Sequence, residues 1–167
     1  MTTKSSGFQA GEQPGEYITS GPVNAETILA MAKQLIQQHF DRGQVFDQPE
    51  IAREFLIHQL ALLERETFWV LFLDNSHRLL AFEQLFSGTL DQASVYPREV
   101  VKRALQLNAK AVILAHNHPS GNPQPSSSDT AITQKLKAAL ELVDMTVLDH
   151  FIVAADCVTS MAERGLC

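Results

Sequence analysis

The sequence predicts an α/β domain, a mixed sheet flanked by helices, and three observations carry that prediction. Apolar residues alternate between helical spacing and strand-like density in the order ααββαβαβ. Two runs, Thr67–Asp74 (TFWVLFLD) and Ala111–Ala115, are too short for buried helices and apolar enough to lie inside a sheet. A polar cluster, Asp74-Asn75-Ser76, separates the first of these from Arg78–Phe86 (RLLAFEQLF), as a turn joins antiparallel partners.

Taken in order, residues 1–22 are rich in Gly, Ser, Pro, Gln and Glu and read as a disordered tail. Residues 23–46 hold an N-terminal helix. Asn24 is placed to cap it, Ile28, Met31, Leu35 and Ile36 recur at helical spacing, and Gly43 stops it. Residues 47–167 form the remaining domain. A second helix starts after Asp47 with Pro49 in its first turn and Ile51, Phe55, Ile57, Leu60 and Leu63 on a broad apolar face. The hairpin follows, and within its second strand Glu83 stands among apolar neighbours, sharing a face with Ala81 and Leu85. A carboxylate there needs a partner or a path to water.

Pro97 opens a third helix, which buries Val100, Val101, Ala104 and Leu105 and ends near Asn108; Arg98, Lys102 and Arg103 line its outer side. After Ala111–Ala115 and a Pro/Gly/Ser loop, Ile132, Leu136, Ala139, Leu140 and Val143 mark a fourth helix. Thr146–Ala154 (TVLDHFIVA) is a further strand, and the last residues read as a short strand or turn followed by a frayed helix. His39 and His58 have no acidic or cysteine neighbours at ligand spacing, and His150 alternates with Leu148 and Ile152 as a packed, hydrogen-bonded histidine would.

Totals narrow the function classes. A chain of 167 residues that is 45% hydrophobic and 19% charged can bury one good core. The net charge of −6 supplies no overall basic footprint for nucleic acid or an anionic membrane surface. No apolar run is long enough to span a bilayer, and the N-terminus lacks the apolar core of a signal peptide. Cys157 and Cys167 form neither a metal-type pair nor a disulfide framework. A cytoplasmic protein with reduced thiols and no membrane partner is expected.

The chemistry concentrates in Ala111–Thr130, AVILAHNHPSGNPQPSSSDT. His116 and His118, two apart at a strand end, point to the same side. Pro119 cannot continue the ladder, and the loop returns the chain to the start of a helix bearing Asp129. Two imidazoles and a carboxylate suit Zn²⁺ with its fourth position left for water. Ser126-x-x-Asp129 is equally a helix capping box, which by itself would account for both residues.

His116-x-His118-Pro119 with Ser126, Asp129 and an upstream Glu83 resembles the JAMM motif of the MPN/JAB metalloprotease superfamily, and within it the RadC branch. The matching stretches are Glu83–Thr89, Tyr96–Val100, His116–Gly121, Pro125–Asp129 and Asp149–Val153. Asn117, between the histidines, agrees with the RadC branch where the wider superfamily has serine or threonine. The resemblance implies a three-layer fold similar to that of cytidine deaminases. It further implies that His116, His118 and Asp129 are zinc ligands, that Glu83 holds the zinc-bound water, and that Ser126 hydrogen-bonds the reacting oxygen.

A zinc-dependent peptidase or isopeptidase acting on a peptide or protein substrate is therefore expected. The alternatives are a DNA-repair-associated protein or metal-dependent nuclease, resting on Arg98, Lys102, Arg103 and Lys110, and a non-catalytic interaction module. Residues 1–46 are too short for the helix-hairpin-helix region of longer RadC proteins, which weakens the DNA alternative. The absence of a CxxC pair and a histidine where the deaminase motif has glutamate argue against deamination.

Overall fold

The computed structural model describes residues 7–11, 16–19, 21–39, 43–87 and 95–167, and the chain divides into two compact units, Met1–Phe40 and Asp41–Cys167. In the first, β1 (Phe8–Ala10) and β2 (Tyr17–Thr19) pair antiparallel, and α1 spans Ala25–His39. Asn24 caps this helix: its Oδ1 accepts from the backbone N–H and the hydroxyl of Thr27, both at 2.8 Å. Of the expected tail, residues 1–6, 12–15 and 20 lie outside the described residues.

The second unit is built on a five-stranded sheet in the order β4-β3-β5-β6-β7. Its strands are β3 (Thr67–Leu73), β4 (Leu79–Ser87), β5 (Ala111–Asn117), β6 (Thr146–Ala154) and β7 (Cys157–Ser160). Only β5 and β6 run parallel, so the sheet is mixed. The parallel pair needs a crossover, and α4 (Ser127–Glu141) supplies it.

β3 and β5 read as unbroken apolar runs because both faces of the sheet are covered. On one side lies α2 (Pro49–Leu60), where Phe55 meets Phe46 and Phe82 edge to face with centroids 5.5 and 4.9 Å away. On the other lie α3 (Pro97–Gln106) and α4, burying Val100, Ala104, Ile132, Leu136 and Leu140 against Phe68, Val70, Phe72, Val112 and Leu114. Three layers result, as the α/β reading expects.

Boundaries follow local chemistry. Asp74 forms the hairpin turn by accepting from Ser76 N at 2.7 Å and Arg78 N at 2.9 Å. Helix α3 stops where Asn108 takes a left-handed φ of 53°. The frayed helix expected at the C-terminus is not formed. After β7 the chain turns through residues 161–165, and Gly165, at φ 69°, lets Leu166 N bond back to Met161 O at 2.9 Å.

Candidate metal centre

β5 is the central strand, and its last residues carry the site. It pairs with β3 through Phe68↔His116 and with β6 through His116↔Ile152. His118 is still tied to the sheet, its N–H donating to Val153 O at 2.8 Å; Pro119, lacking an N–H, ends the ladder. The period of two then sends both imidazoles toward α4 and the Asn117 amide to the opposite face. Gly121, at φ 75°, closes the following turn with its N–H on His118 O at 3.0 Å.

The capping box at the start of α4 is present in both directions. Asp129 N donates to Ser126 Oγ at 3.1 Å, and Ser126 N donates to Asp129 Oδ2 at 2.7 Å. The Ser126 hydroxyl also donates to Oδ2, at 2.7 Å. Capping does not compete with a place in the site; it aims the carboxylate. Asp129 Oδ1 lies 3.2 Å from His116 Nε2 and Oδ2 lies 3.6 Å from His118 Nε2, while the two Nε2 atoms are 2.9 Å apart. Burial pushes the Asp129 carboxyl up, but the hydrogen bond and charge of His116 and the bonds from Ser126 overcome it. The group is held well below the usual carboxylate range.

These atoms fit a cation. His118 Nδ1 faces the carbonyl of Asn122 at 2.7 Å, and a carbonyl can only accept, so Nδ1 carries the proton and Nε2 is bare. That lone pair and the ionised carboxylate of Asp129 point into one small volume shared with His116 Nε2. A carboxylate is joined to the histidines from another side as well: Glu66, His116 and His118 bring ligand atoms to within 4.8 Å of one another, a group able to hold a metal ion.

Asn117 places Glu66. Its Oδ1 accepts from Thr67 N at 2.9 Å and Thr67 Oγ1 at 2.7 Å, and its Nδ2 donates to Leu63 O at 3.1 Å and Arg65 O at 2.9 Å. Trp69 Nε1 completes the clamp by donating to Thr67 Oγ1 at 2.9 Å. The segment between α2 and β3 is thereby fixed over the end of β5. Continuing the antiparallel register two residues beyond Phe68↔His116 sets Glu66 opposite His118.

Glu83 is not a member of this group. Its strand, β4, lies beyond β3 rather than beside β5. Its Oε1 accepts from Arg103 Nη2 at 2.5 Å and its Oε2 from Arg103 Nε at 2.7 Å. The Arg103 hydrogen bonds hold the carboxyl below its ordinary range against the opposing effect of burial. The partner that this carboxylate finds is Arg103 on α3. Thus His116, His118, Asp129 and Ser126 come together, Glu83 does not, and Glu66, which the sequence reading did not single out, lies with the two histidines. Glu66 directly precedes an apolar strand, and that position was its only signal.

Behind the histidines sits His150, fully buried on β6, with Nε2 2.8 Å from His116 Nδ1 and Nδ1 2.6 Å from Thr133 Oγ1. Burial, reinforced by the neighbouring His116, holds its pKa well below the ordinary histidine value, so the ring is neutral. Beside His118 a groove of about 350 Å³ runs past Leu62, Leu63, Pro119, Val153 and Ala155. Of the basic residues in the DNA alternative, Arg98 pairs with Glu99, Arg103 with Glu83, and Lys110 Nζ with Asp144 O. Among the described residues, no helix is long and apolar enough to cross a membrane.

Comparison with known proteins agrees with this geometry. Residues 46–166 match the family model of the RadC-like JAB domain. A UPF0758 protein of Methylibium petroleiphilum is 60% identical over 139 residues, covering 83% of this chain and 63% of the relative. One from Leptothrix cholodnii is 55% identical over 141 residues, covering 84% and 64%. One from Vibrio cholerae is 53% identical over 149 residues, covering 89% and 94%. The chain therefore spans less than two thirds of the first two relatives and nearly all of the third.

Proposed function

The chain belongs to the RadC-like JAB domain family, and on that premise we propose that it is a zinc-dependent hydrolase of amide bonds, a peptidase or isopeptidase acting on a peptide or protein substrate. The observation that carries the reading is the convergence of His116, His118 and Asp129 on one volume, with Glu66 within 4.8 Å of both histidines. Two imidazoles and a carboxylate are a three-ligand set for Zn²⁺, to which His116, His118 and Asp129 contribute Nε2, Nε2 and a carboxylate oxygen. When bound, such an ion polarises a carbonyl and brings the pKa of water to about 7.

The chain's own residues do the rest. Glu66, partly exposed, accepts the proton of the attacking water and hands it to the leaving amine as general base and then general acid. It takes the part that the family resemblance gave to Glu83. The Ser126 hydroxyl orients Asp129 and turns to stabilise the negative oxygen that develops on the substrate carbonyl. The groove beside His118, lined by apolar residues together with Glu64 and Asn117, receives a substrate side chain next to the scissile bond.

Metal analysis with a panel of peptide and isopeptide substrates at neutral pH tests this. Wild type should hold one zinc per chain, Asp129→Ala should lose it, and Glu66→Gln should keep it while turnover falls by about 10²–10⁴-fold. Protein that holds no zinc after growth in adequate metal would sink the reading.

A further inference from the structure

We propose that His150, held by Thr133, is a positioning residue for His116: it keeps a proton on His116 Nδ1, so that Nε2 is the nitrogen turned to a metal. This rests on the reading that His116, His118 and Asp129 hold the ion, and it adds residues to which the motif gives no role.

The argument follows one proton at a time. Thr133 lies in the second turn of α4, four residues after Asp129, and its hydroxyl carries a single hydrogen. Two strong acceptors compete for it: Asp129 O at 2.5 Å and His150 Nδ1 at 2.6 Å. The carbonyl has no proton to offer in return, whereas an imidazole nitrogen can carry one. If Thr133 donated to His150, its oxygen and that of Asp129 would face each other at 2.5 Å with nothing between them, lone pair against lone pair. The hydroxyl proton therefore goes to Asp129 O, and His150 Nδ1–H donates to Thr133 Oγ1.

His150 is 0% exposed and its ring packs edge to face on Phe68 with centroids 5.5 Å apart. In that dry setting the ring is neutral and carries one proton. With Nδ1 protonated, Nε2 is bare and must accept, and among the described residues its hydrogen-bond partner is His116 Nδ1 at 2.8 Å. His116 thus carries a proton on Nδ1 and turns Nε2 to His118 and Asp129. The carbonyl of Asn122 does the same for His118 through a single contact. Both imidazoles are set by hydrogen bonds on their far nitrogens, and the set on the buried one runs through two side chains.

Thr133 also ties the relay to the third ligand, because the carbonyl that claims its proton belongs to Asp129. Strand β6 and helix α4 are in this way joined to both β5 and the site through one chain of three hydrogen bonds. Reversal of any of them would place an N–H where the ion needs a lone pair.

The test combines zinc affinity, measured by chelator competition, with the His116 tautomer read from long-range ¹H–¹⁵N correlation on the full chain, metal-free and zinc-loaded. In metal-free wild type, His116 should be protonated at Nδ1. His150→Leu should weaken zinc binding by about ten- to a hundredfold. His150→Gln, whose side-chain carbonyl can stand where Nε2 stood, should recover most of it. Thr133→Val, which removes only the hydroxyl, should fall between wild type and His150→Leu, and it carries the test if the leucine variant does not fold.

A His116 Nδ1 without a proton in the metal-free wild type overturns the inference whether or not zinc binds. So does an unchanged zinc affinity in folded His150→Leu or, should that variant not fold, in Thr133→Val. Wild type that shows the expected tautomer yet takes up no zinc would instead defeat the metal reading and leave the proton chain standing.

Discussion

A carboxylate does what its nearest partner allows, and two glutamates of this domain differ on that point. Glu83 accepts from Arg103 through both carboxylate oxygens, a bidentate pairing that favours its anion over a proton-carrying form. Glu66 lies with the two imidazoles and is partly open to solvent, where a base must be to exchange its proton. Glu83→Gln should therefore leave the zinc content of the purified protein unchanged and shift its thermal midpoint only slightly, since a half-exposed pair contributes little. If that variant loses zinc or all activity while Glu66→Gln retains activity, the two roles have been assigned the wrong way round.

Among the elements, the junction between α2 and β3 matters most, because it carries Glu66 and has no regular structure of its own. Its order comes from one amide. Replacing Asn117 by Ala would strip four hydrogen bonds from the Leu63–Thr67 segment, leaving the Thr67 N–H and two carbonyls to find other partners. At about 1–3 kcal/mol for each buried group left unpaired, a loss of at least about 2 kcal/mol is expected, read from denaturant unfolding. Amide exchange at Thr67 should quicken along with it; a variant as stable as wild type would show that the clamp is dispensable.

Here too lies the division between what the sequence discloses and what it withholds. His116 and His118 are legible because strand alternation fixes their common side within three residues. Ser126 and Asp129 are legible because a helix start has a local grammar. Which glutamate joins them is decided by sheet order, and no local pattern reports that β3 separates β4 from β5. A hairpin read correctly as a hairpin still has two strands that could lie next to the histidines.

Across the whole molecule, a neutral histidine sealed under the sheet makes global stability depend on pH. The unfolded chain takes up a proton on His150 near pH 6.5, whereas the folded protein refuses it until well below that. Because the folded-state pKa is depressed, this contribution is fully present above about pH 6.5 and is lost as pH falls from there toward the folded value. For one proton the slope is at most about 1.4 kcal/mol per pH unit. Metal-free wild type should thus lose stability between about pH 6.5 and 5 faster than His150→Gln; parallel curves would refute it. The three-layer architecture was readable from the element order, but this burial was not: His150 alternates with apolar residues whichever face it takes, and only the packing of α4 makes that face dry.

The double use of Asp129 has a consequence for the chain as a polymer. Its carboxylate starts α4 and also faces the end of β5, so an ion held there with His118 would cross-link two points separated by the Pro119–Ser128 segment. Such a link removes conformational freedom from the unfolded ensemble as a disulfide does, a contribution on the order of 3 kcal/mol for a loop of this size. The prolines have already spent part of that freedom, which lowers the gain. The loop is thus a pre-bent strap, and the ion is the rivet that fastens it.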